Sequence, residues 1–301
     1  MVENMDNGFR IRRSLLFIPG SQPRMLAKAI HVGADSVILD LEDAVAFEDK
    51  DKARLLVRET IKSIIVTGIE VIVRINPLST PLGYTDIGEI TGSNPDAIMI
   101  PKATENDIRS AGEMLDDIEC KNNIAKHTTK IFPLIETAYA MENVNNIIRS
   151  SDRVTGVLFG AEDYTADMEV KRTTSGDELY FARNRIAVAC RAGNIDAIDT
   201  PYTAIKDLEG LSRDAKMAIL AGMTGKAAIH PCQVSIINES FAPSEEEIAY
   251  AVKLVNANKE MILKGKAVFV FDGKMIDAPI IKRAYRVIAK AKLAGLLKTE
   301  E

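Results

Sequence analysis

The chain lacks most of what would mark it as secreted, membrane-bound or nucleic-acid-binding. Its three cysteines, Cys120, Cys190 and Cys232, stand far apart without CxxC spacing. That excludes a disulfide framework and a cysteine zinc site, and each reads as a small packed or surface residue rather than a nucleophile. No apolar run approaches the length of a membrane span, and the residues through Phe9 are polar and acidic with no apolar signal region. The expected compartment is the cytoplasm. Net charge is −5 with acids and bases interspersed, so no basic patch offers itself to nucleic acid or an anionic membrane. No GxGxxG follows the first strand-like run, which argues against an open dinucleotide-binding sheet. Internal repeats and low-complexity linkers are likewise missing.

What is present is a series of short apolar runs. Eight can be counted: Ser14–Pro19, Ser36–Leu41, Glu70–Ile75, Ala97–Ile100, Ile131–Ile135, Val157–Gly160, Ile195–Ile198 and Lys226–Ile229. Each is brief, continuous and rich in Ile, Val or Leu, as strands covered on both faces are. Helix-prone segments follow most of them: Pro23–Val32, Asp49–Val66, Glu105–Ile118, Ala138–Ile148, Gly176–Ala192 and Asp207–Ala221. Eight βα units predict an α/β fold of the TIM (β/α)8 type. Residues 1–235 complete it, and 236–301 exceed what a barrel needs. There Ser244–Leu263 reads as a helix with a capping-box start at Ser244 and Glu247. Val268–Phe271 and Lys274–Ile276 read as a hairpin about Asp272-Gly273, and Ala278–Leu297 as a last helix. A helix–hairpin–helix extension after a complete barrel suggests a cap, a lid or an arm packing on a neighbouring subunit.

The strand ends carry more polar residues than packing asks for. Glu136 ends the fifth run, and Asp163 lies just past the sixth. In a parallel barrel, consecutive strand ends line one pocket, where two carboxylates make a hard-oxygen site suited to Mg²⁺. The alternative is that each pairs with a nearby Lys or Arg. The first run ends in a turn through Gly20, with Arg24 and Lys28 beyond it; free N–H groups at a helix start beside two bases could hold a phosphate, or the bases could simply face solvent. The second run ends through Asp40, with Glu42 and Asp43 just beyond it, costly on a buried strand unless bound to cations, N–H groups or water. Glu42 and Asp43 are candidates for proton transfer or for a place beside the metal. Arg74 ends the third run and could clamp a substrate carboxylate in a bidentate fork or neutralise Glu42 or Asp43. Lys102 follows the fourth; it reads as a charge partner in preference to a Schiff-base amine. His230, one of three histidines, reads as a structural hydrogen-bonding residue.

Taken together these motifs resemble the HpcH/HpaI-type aldolase family of citrate-lyase-like, malyl-CoA and citramalyl-CoA lyases. The residues that carry the resemblance are Phe17–Gly20 (F-I-P-G), Leu39–Val45 (L-D-L-E-D-A-V), Val73–Pro77 (V-R-I-N-P), Ile100–Lys102 (I-P-K) and Leu134–Thr137 (L-I-E-T). They continue through Phe159–Asp167 (F-G-A-E-D-Y-T-A-D), Gly225–Gln233 (G-K-A-A-I-H-P-C-Q) and Gly273–Pro279 (G-K-M-I-D-A-P). Asp163 through Leu179 is most similar to the citrate lyase β-subunit branch. The resemblance implies a Mg²⁺-dependent barrel lyase that splits citryl-CoA, or a citryl thioester on an acyl-carrier protein, into oxaloacetate and an acetyl thioester. Citramalyl-CoA or malyl-CoA cleavage, or a related thioesterase activity, is the alternative, and a non-catalytic scaffold is the reading from another class. By motif match Glu136 and Asp163 would hold the metal, Arg74 the oxo-acid carboxylate, and Arg24 and Lys28 the phosphates of the CoA-like arm. Asp277, after the hairpin, would reach into a neighbouring subunit's pocket for proton transfer, with Glu42 or Asp43 competing for the role. Homotrimers or hexamers, and partner α and carrier γ subunits, are implied in the same way. The chain departs from the family pattern at Ala140, where glycine is expected, and at Thr200-Pro201-Tyr202-Thr203; both leave the metal ligands intact and the acyl group open.

Overall fold

The computed structural model describes residues 10–64, 67–265 and 267–297. The polar leader through Phe9 and the last two residues of the expected helix Asp49–Val66 lie outside them. Eight parallel strands close in chain order into a barrel: β1 Ser14–Pro19, β2 Ser36–Asp40, β3 Glu70–Arg74, β4 Ala97–Ile100, β5 Lys130–Ile135, β6 Gly156–Phe159, β7 Asp196–Asp199 and β8 Gly225–Ala228. These are the eight apolar runs, displaced by no more than one residue at either end.

The helices are α1 Pro23–Leu26, α2 Lys50–Ile64, α3 Pro81–Ile90, α4 Glu105–Lys121, α5 Ala138–Glu142, α6 Val144–Arg149, α7 Ala161–Asp167, α8 Tyr180–Gly193, α9 Leu208–Ala221 and α10 Val234–Phe241. Where a cap is encoded the expectation holds closely. Thr104 and Asp107 form a reciprocal capping box on α4, and Asp207 accepts from the Gly210 N–H to open α9. The expected helix Ala138–Ile148 is broken at Asn143, whose side-chain amide donates to the Tyr139 carbonyl at 2.9 Å. An asparagine that satisfies the backbone locally competes with continuation of the helix. Pro23–Val32 likewise yields only α1 and a single 3₁₀ turn, Ala29–His31. Helices α3, α7 and α10 were not anticipated, because seven to ten residues give too few turns for a clear periodicity.

Alternation along the strands decides which residues fill the barrel. Leu15, Ile38, Ile72, Ala97, Met99, Phe132, Leu134, Leu158, Ile198 and Ala227 form one buried cluster, with Phe17 packed against it. Successive side chains point to opposite faces, so Leu16, Val37, Leu39, Val71, Val73 and Ile98 turn toward the helices and are equally buried. Residues 12–239 make up this compact unit, and the described residues from Ser240 on belong to a second.

In the second unit, α11 Glu245–Leu263 starts at the expected Ser244–Glu247 capping box. The hairpin of β9 Phe269–Phe271 and β10 Lys274–Ile276 turns through Asp272 and Gly273, both at positive φ, as a two-residue type I′ turn requires. Helix α12 runs over Ala278–Leu293. Ala251, Leu254, Val255, Phe269, Ile276 and Ala284 form its core. Among the described residues no helix is long and apolar enough to cross a membrane.

Candidate active site

The alternation that fills the barrel also builds its mouth. Two residues beyond the inward-facing Ile38, Ile72 and Leu134 come Asp40, Arg74 and Glu136. Each therefore rises from the inner face at the C-terminal end of its strand. Asp40 and Arg74 are register partners on β2 and β3. They lock into a fork, with Arg74 Nε donating to Asp40 Oδ1 at 2.7 Å and Nη2 to Oδ2 at 2.6 Å. The guanidinium lies over the Phe17 ring, 5.1 Å from its centroid. Burial opposes the Arg74 charge, but Asp40, Glu42 and Asp43 outweigh it and hold its pKa above the ordinary value. Asp40 also accepts the Glu42 and Ala44 N–H groups, so one carboxylate fixes both the arginine and the turn after β2.

Carboxylates beyond Asp40 are less well matched. Glu136 is buried, and its Oε1 accepts the Lys102 backbone N–H at 2.8 Å. Lys102 can aim that N–H because it sits at φ 48°, a left-handed conformation costly for a residue with a side chain. On the other side Gly160 makes room: a Cβ there would lie 2.6 Å from Glu136 Cβ and 2.7 Å from Oε2. Desolvation pushes the Glu136 pKa up to about 8, aided by the charges of Glu42 and Asp163, against the Lys102 hydrogen bond and Arg74. Glu42 is also buried, and its pKa rises to about 7, chiefly by desolvation, with Arg74 opposing. Its Oε2 is 3.0 Å from Arg74 Nη1 but off the line of the N–H, and so accepts no hydrogen bond.

The structure thus gathers Glu42, Asp43, Arg74, Lys102, Glu136 and Asp163 at one end of the barrel. Asp163 lies in the first turn of α7, half exposed, with Lys102 Nζ 3.9 Å away. Asp43 is exposed and reaches Arg74 Nη1 at 3.5 Å. Gly20 follows β1 and donates its N–H to the Asp40 carbonyl at 2.8 Å. Arg24 and Lys28 are exposed on and just after α1. Asp277 belongs to the second unit, where its Oδ1 caps α12 through the Ile280 N–H. His230 caps the short turn after β8 by accepting the Cys232 N–H.

Three contributors were missed by sequence reasoning. Asp40 was counted only as one acid of a cluster; the spacing of two from a core residue is the signal that sets it on the inner face with Arg74. Gly160 is legible in the same way, two residues after the inward Leu158. The Lys102 backbone carries no signal at all. Outside the mouth, Asp199 and Lys226 turn outward and join Arg183 and Asp214 in a buried network at 2.6–2.9 Å.

Among the described residues no three ligand-type side chains converge, but the buried Glu136, its pKa raised to about 8, and Glu42, with one oxygen unbonded, leave the mouth short of positive charge. It suits a hard divalent cation, which for Mg²⁺ takes only one or two protein carboxylates. The comparisons with known proteins follow the same line. Residues 13–231 match the profile of the HpcH/HpaI aldolase/citrate lyase family. The citrate lyase subunit beta of Leuconostoc mesenteroides subsp. cremoris is 38% identical over 98% of this chain and 98% of its own. The (3S)-malyl-CoA thioesterase of Cereibacter sphaeroides is 34% identical over 93% of this chain and 94% of its own. Among solved structures, protein CitE of Mycobacterium tuberculosis in complex with magnesium, acetoacetate and coenzyme A superposes with a TM-score of 0.75. It is 28% identical, over 95% of this chain and 98% of that one.

Proposed function

The chain belongs to the HpcH/HpaI aldolase/citrate lyase family and is a lyase; from that premise we propose that it cleaves citryl-CoA, or a citryl thioester on a carrier protein, to oxaloacetate and an acetyl thioester. The observation that carries the reading is the excess of carboxyl groups over cations at the mouth, centred on the buried Glu136, whose pKa is raised to about 8. Glu136 and Asp163 would hold Mg²⁺. When bound, the cation would polarise the carbonyl and carboxylate oxygens of the oxo-acid half. Arg74 orients that half: Asp40 occupies Nε and Nη2, which leaves Nη1, now facing Glu42 and Asp43, to take the substrate carboxylate in their place. Arg24 and Lys28, exposed beyond Gly20, would meet the phosphates of the CoA-like arm, and Lys102 the charge of the bound acid.

Cleavage needs a base for the substrate hydroxyl proton. As that proton leaves, the hydroxyl carbon becomes the oxo-acid carbonyl, and the breaking C–C bond leaves its electron pair on the acetyl thioester as an enolate, which is then protonated. Asp277 of a second copy of this chain is our assignment for the base, the barrel (1–235) being catalytic and 236–301 the arm that carries Asp277 to a neighbour in a trimer or hexamer. Replacing Asp277 by Ala should then lower turnover about 10²–10⁴-fold with Mg²⁺ affinity unchanged, as titration calorimetry would read. Glu42 is the rival, favoured by a pKa of about 7 that suits acid–base work near neutrality; Asp43 is next to it. Work in the cytoplasm, with α and γ carrier subunits as partners, belongs to the same proposal.

The test is incubation with Mg²⁺ and, separately, citryl-CoA, (3S)-citramalyl-CoA and malyl-CoA, with the oxo-acid identified. Metal-dependent oxaloacetate from citryl-CoA is the expected result. Pyruvate or glyoxylate instead would transfer the proposal to a sister lyase activity, and free CoA thiol without oxo-acid to a thioesterase.

A further inference from the structure

His230 and Cys232 form a side-chain pair beyond the C-terminal end of β8 that the proposed lyase chemistry leaves unused. His230 lies two residues past the end of β8, just before the turn Pro231–Gln233, and β8 lies between β7 and β1 in the closed barrel. Both side chains are exposed. Cys232 Sγ is 3.0 Å from His230 Nδ1, and the Cys232 backbone N–H donates to the same nitrogen at 3.2 Å. An N–H that points at Nδ1 requires a bare lone pair there, which puts the ring proton on Nε2. The Cys232 N–H and the thiol share that one lone pair, so Nδ1 takes the thiol proton only as the backbone N–H lets go. Among the described residues the other partner of Sγ is the Ile205 carbonyl, at a distant 3.9 Å. The Gln233 side chain holds the turn in place, accepting the Ile229 N–H and donating to the Tyr202 carbonyl.

The two remaining cysteines are built differently. Cys190 is buried under α8, where desolvation raises its thiol pKa far above the ordinary value. Cys120 is exposed near the end of α4, and among the described residues no histidine hydrogen-bonds to its thiol. Exposure and a neighbouring base together, rather than either alone, make a thiol reactive.

We propose that Cys232, paired with His230, is a site of thiol–disulfide exchange beyond the C-terminal end of β8, taking a small-molecule disulfide as its co-reactant. The Cys232 thiol gives its proton to His230 Nδ1, and the thiolate attacks one sulfur of the disulfide. A protein–ligand S–S bond forms as the original S–S bond breaks, and the departing thiolate recovers the proton from the imidazolium. One disulfide and one thiol become another disulfide and another thiol, with no net oxidation. This inference stands apart from the lyase reading, because adduct formation is read on the protein itself.

The test uses oxidised glutathione on the folded full chain, followed by intact mass and peptide mapping with time. Cys232 should be modified first, about tenfold or more faster than Cys120, with Cys190 unmodified. His230→Asn keeps an oxygen to accept the Cys232 N–H but removes the base, and should slow modification of Cys232 to the rate of Cys120. In Cys232→Ser the fast adduct should vanish. Equal rates at Cys120 and Cys232 in the unaltered protein, or an unchanged rate in His230→Asn, would overturn the assignment.

Discussion

The two ends of the barrel treat buried charge in opposite ways. At the N-terminal ends of the strands, Arg12 donates to both oxygens of Glu70 and to Asp196 at 2.7–3.1 Å, with Ser36 Oγ also on Glu70. Arg13 makes a bidentate pair with Asp35. Burial opposes the Arg12 charge, yet Glu70 and Asp196 more than compensate and hold its pKa above the ordinary value. At the C-terminal ends, Arg74 is committed to Asp40, while Glu42 and Glu136 are raised to about 7 and about 8. One end is a closed ionic network, and the other holds more acid than its own residues neutralise. The same fold thus matches its charges at the foot and leaves acid unmatched at the mouth.

Breaking the mouth should have the largest effect. Glu136→Gln should lower lyase turnover roughly a thousandfold, the scale of several kcal/mol of charge stabilisation, while the metal-free melting temperature stays level or rises, since a desolvated acid is gone. The foot should respond in the reverse sense. Glu70→Gln leaves Arg12 buried with an incomplete partner set and should cost about 3–5 kcal/mol in urea unfolding, with activity per folded molecule retained. A finer change tests whether space is tuned as well as charge. Gly160→Ala has an ordinary φ of −97°, so its effect falls on Glu136, whose Cβ and carboxylate must both shift; Mg²⁺ affinity should weaken about 10–100-fold without loss of cooperative unfolding.

The smallest effect is a slope with pH. Glu136 and Glu42 hold protons in the folded state at pH values where the unfolded chain, with carboxylates at 4.5, has lost them. Stability of the metal-free protein should therefore fall as pH rises from about 4.5 to about 8. Mg²⁺ needs the ionised acids, so the melting-temperature gain it confers should grow over the same interval. A gain that is flat with pH would place the cation away from Glu136.

Most of this architecture was legible as chemistry of short segments. Strands covered on both faces read as apolar runs, and the capped helices α4, α9 and α11 begin at residues whose side chains bond their own first turn. Helices without such signals, α3, α7 and α10, were not. At the mouth, Glu136, Asp163 and Arg74 stood out as charges ending apolar runs. The Asp40–Arg74 fork was hidden because it depends on register between two strands, and the support from Lys102 because it depends on a backbone angle. The Asp199–Lys226–Arg183–Asp214 network was invisible for a third reason: its members lie far apart along the chain and meet only once α8 and α9 pack on the barrel.

The two-residue rhythm that sets Leu134 and Glu136 on the inner face also governs how this protein can diverge. A substitution in β5 changes one side chain; loss or gain of a single residue within Lys130–Ile135 would send Glu136 toward the helices and bring Ile135 inward. Descendants of this chain are free to vary the letters of that strand but not its length, and insertions and deletions should be found in the connections instead.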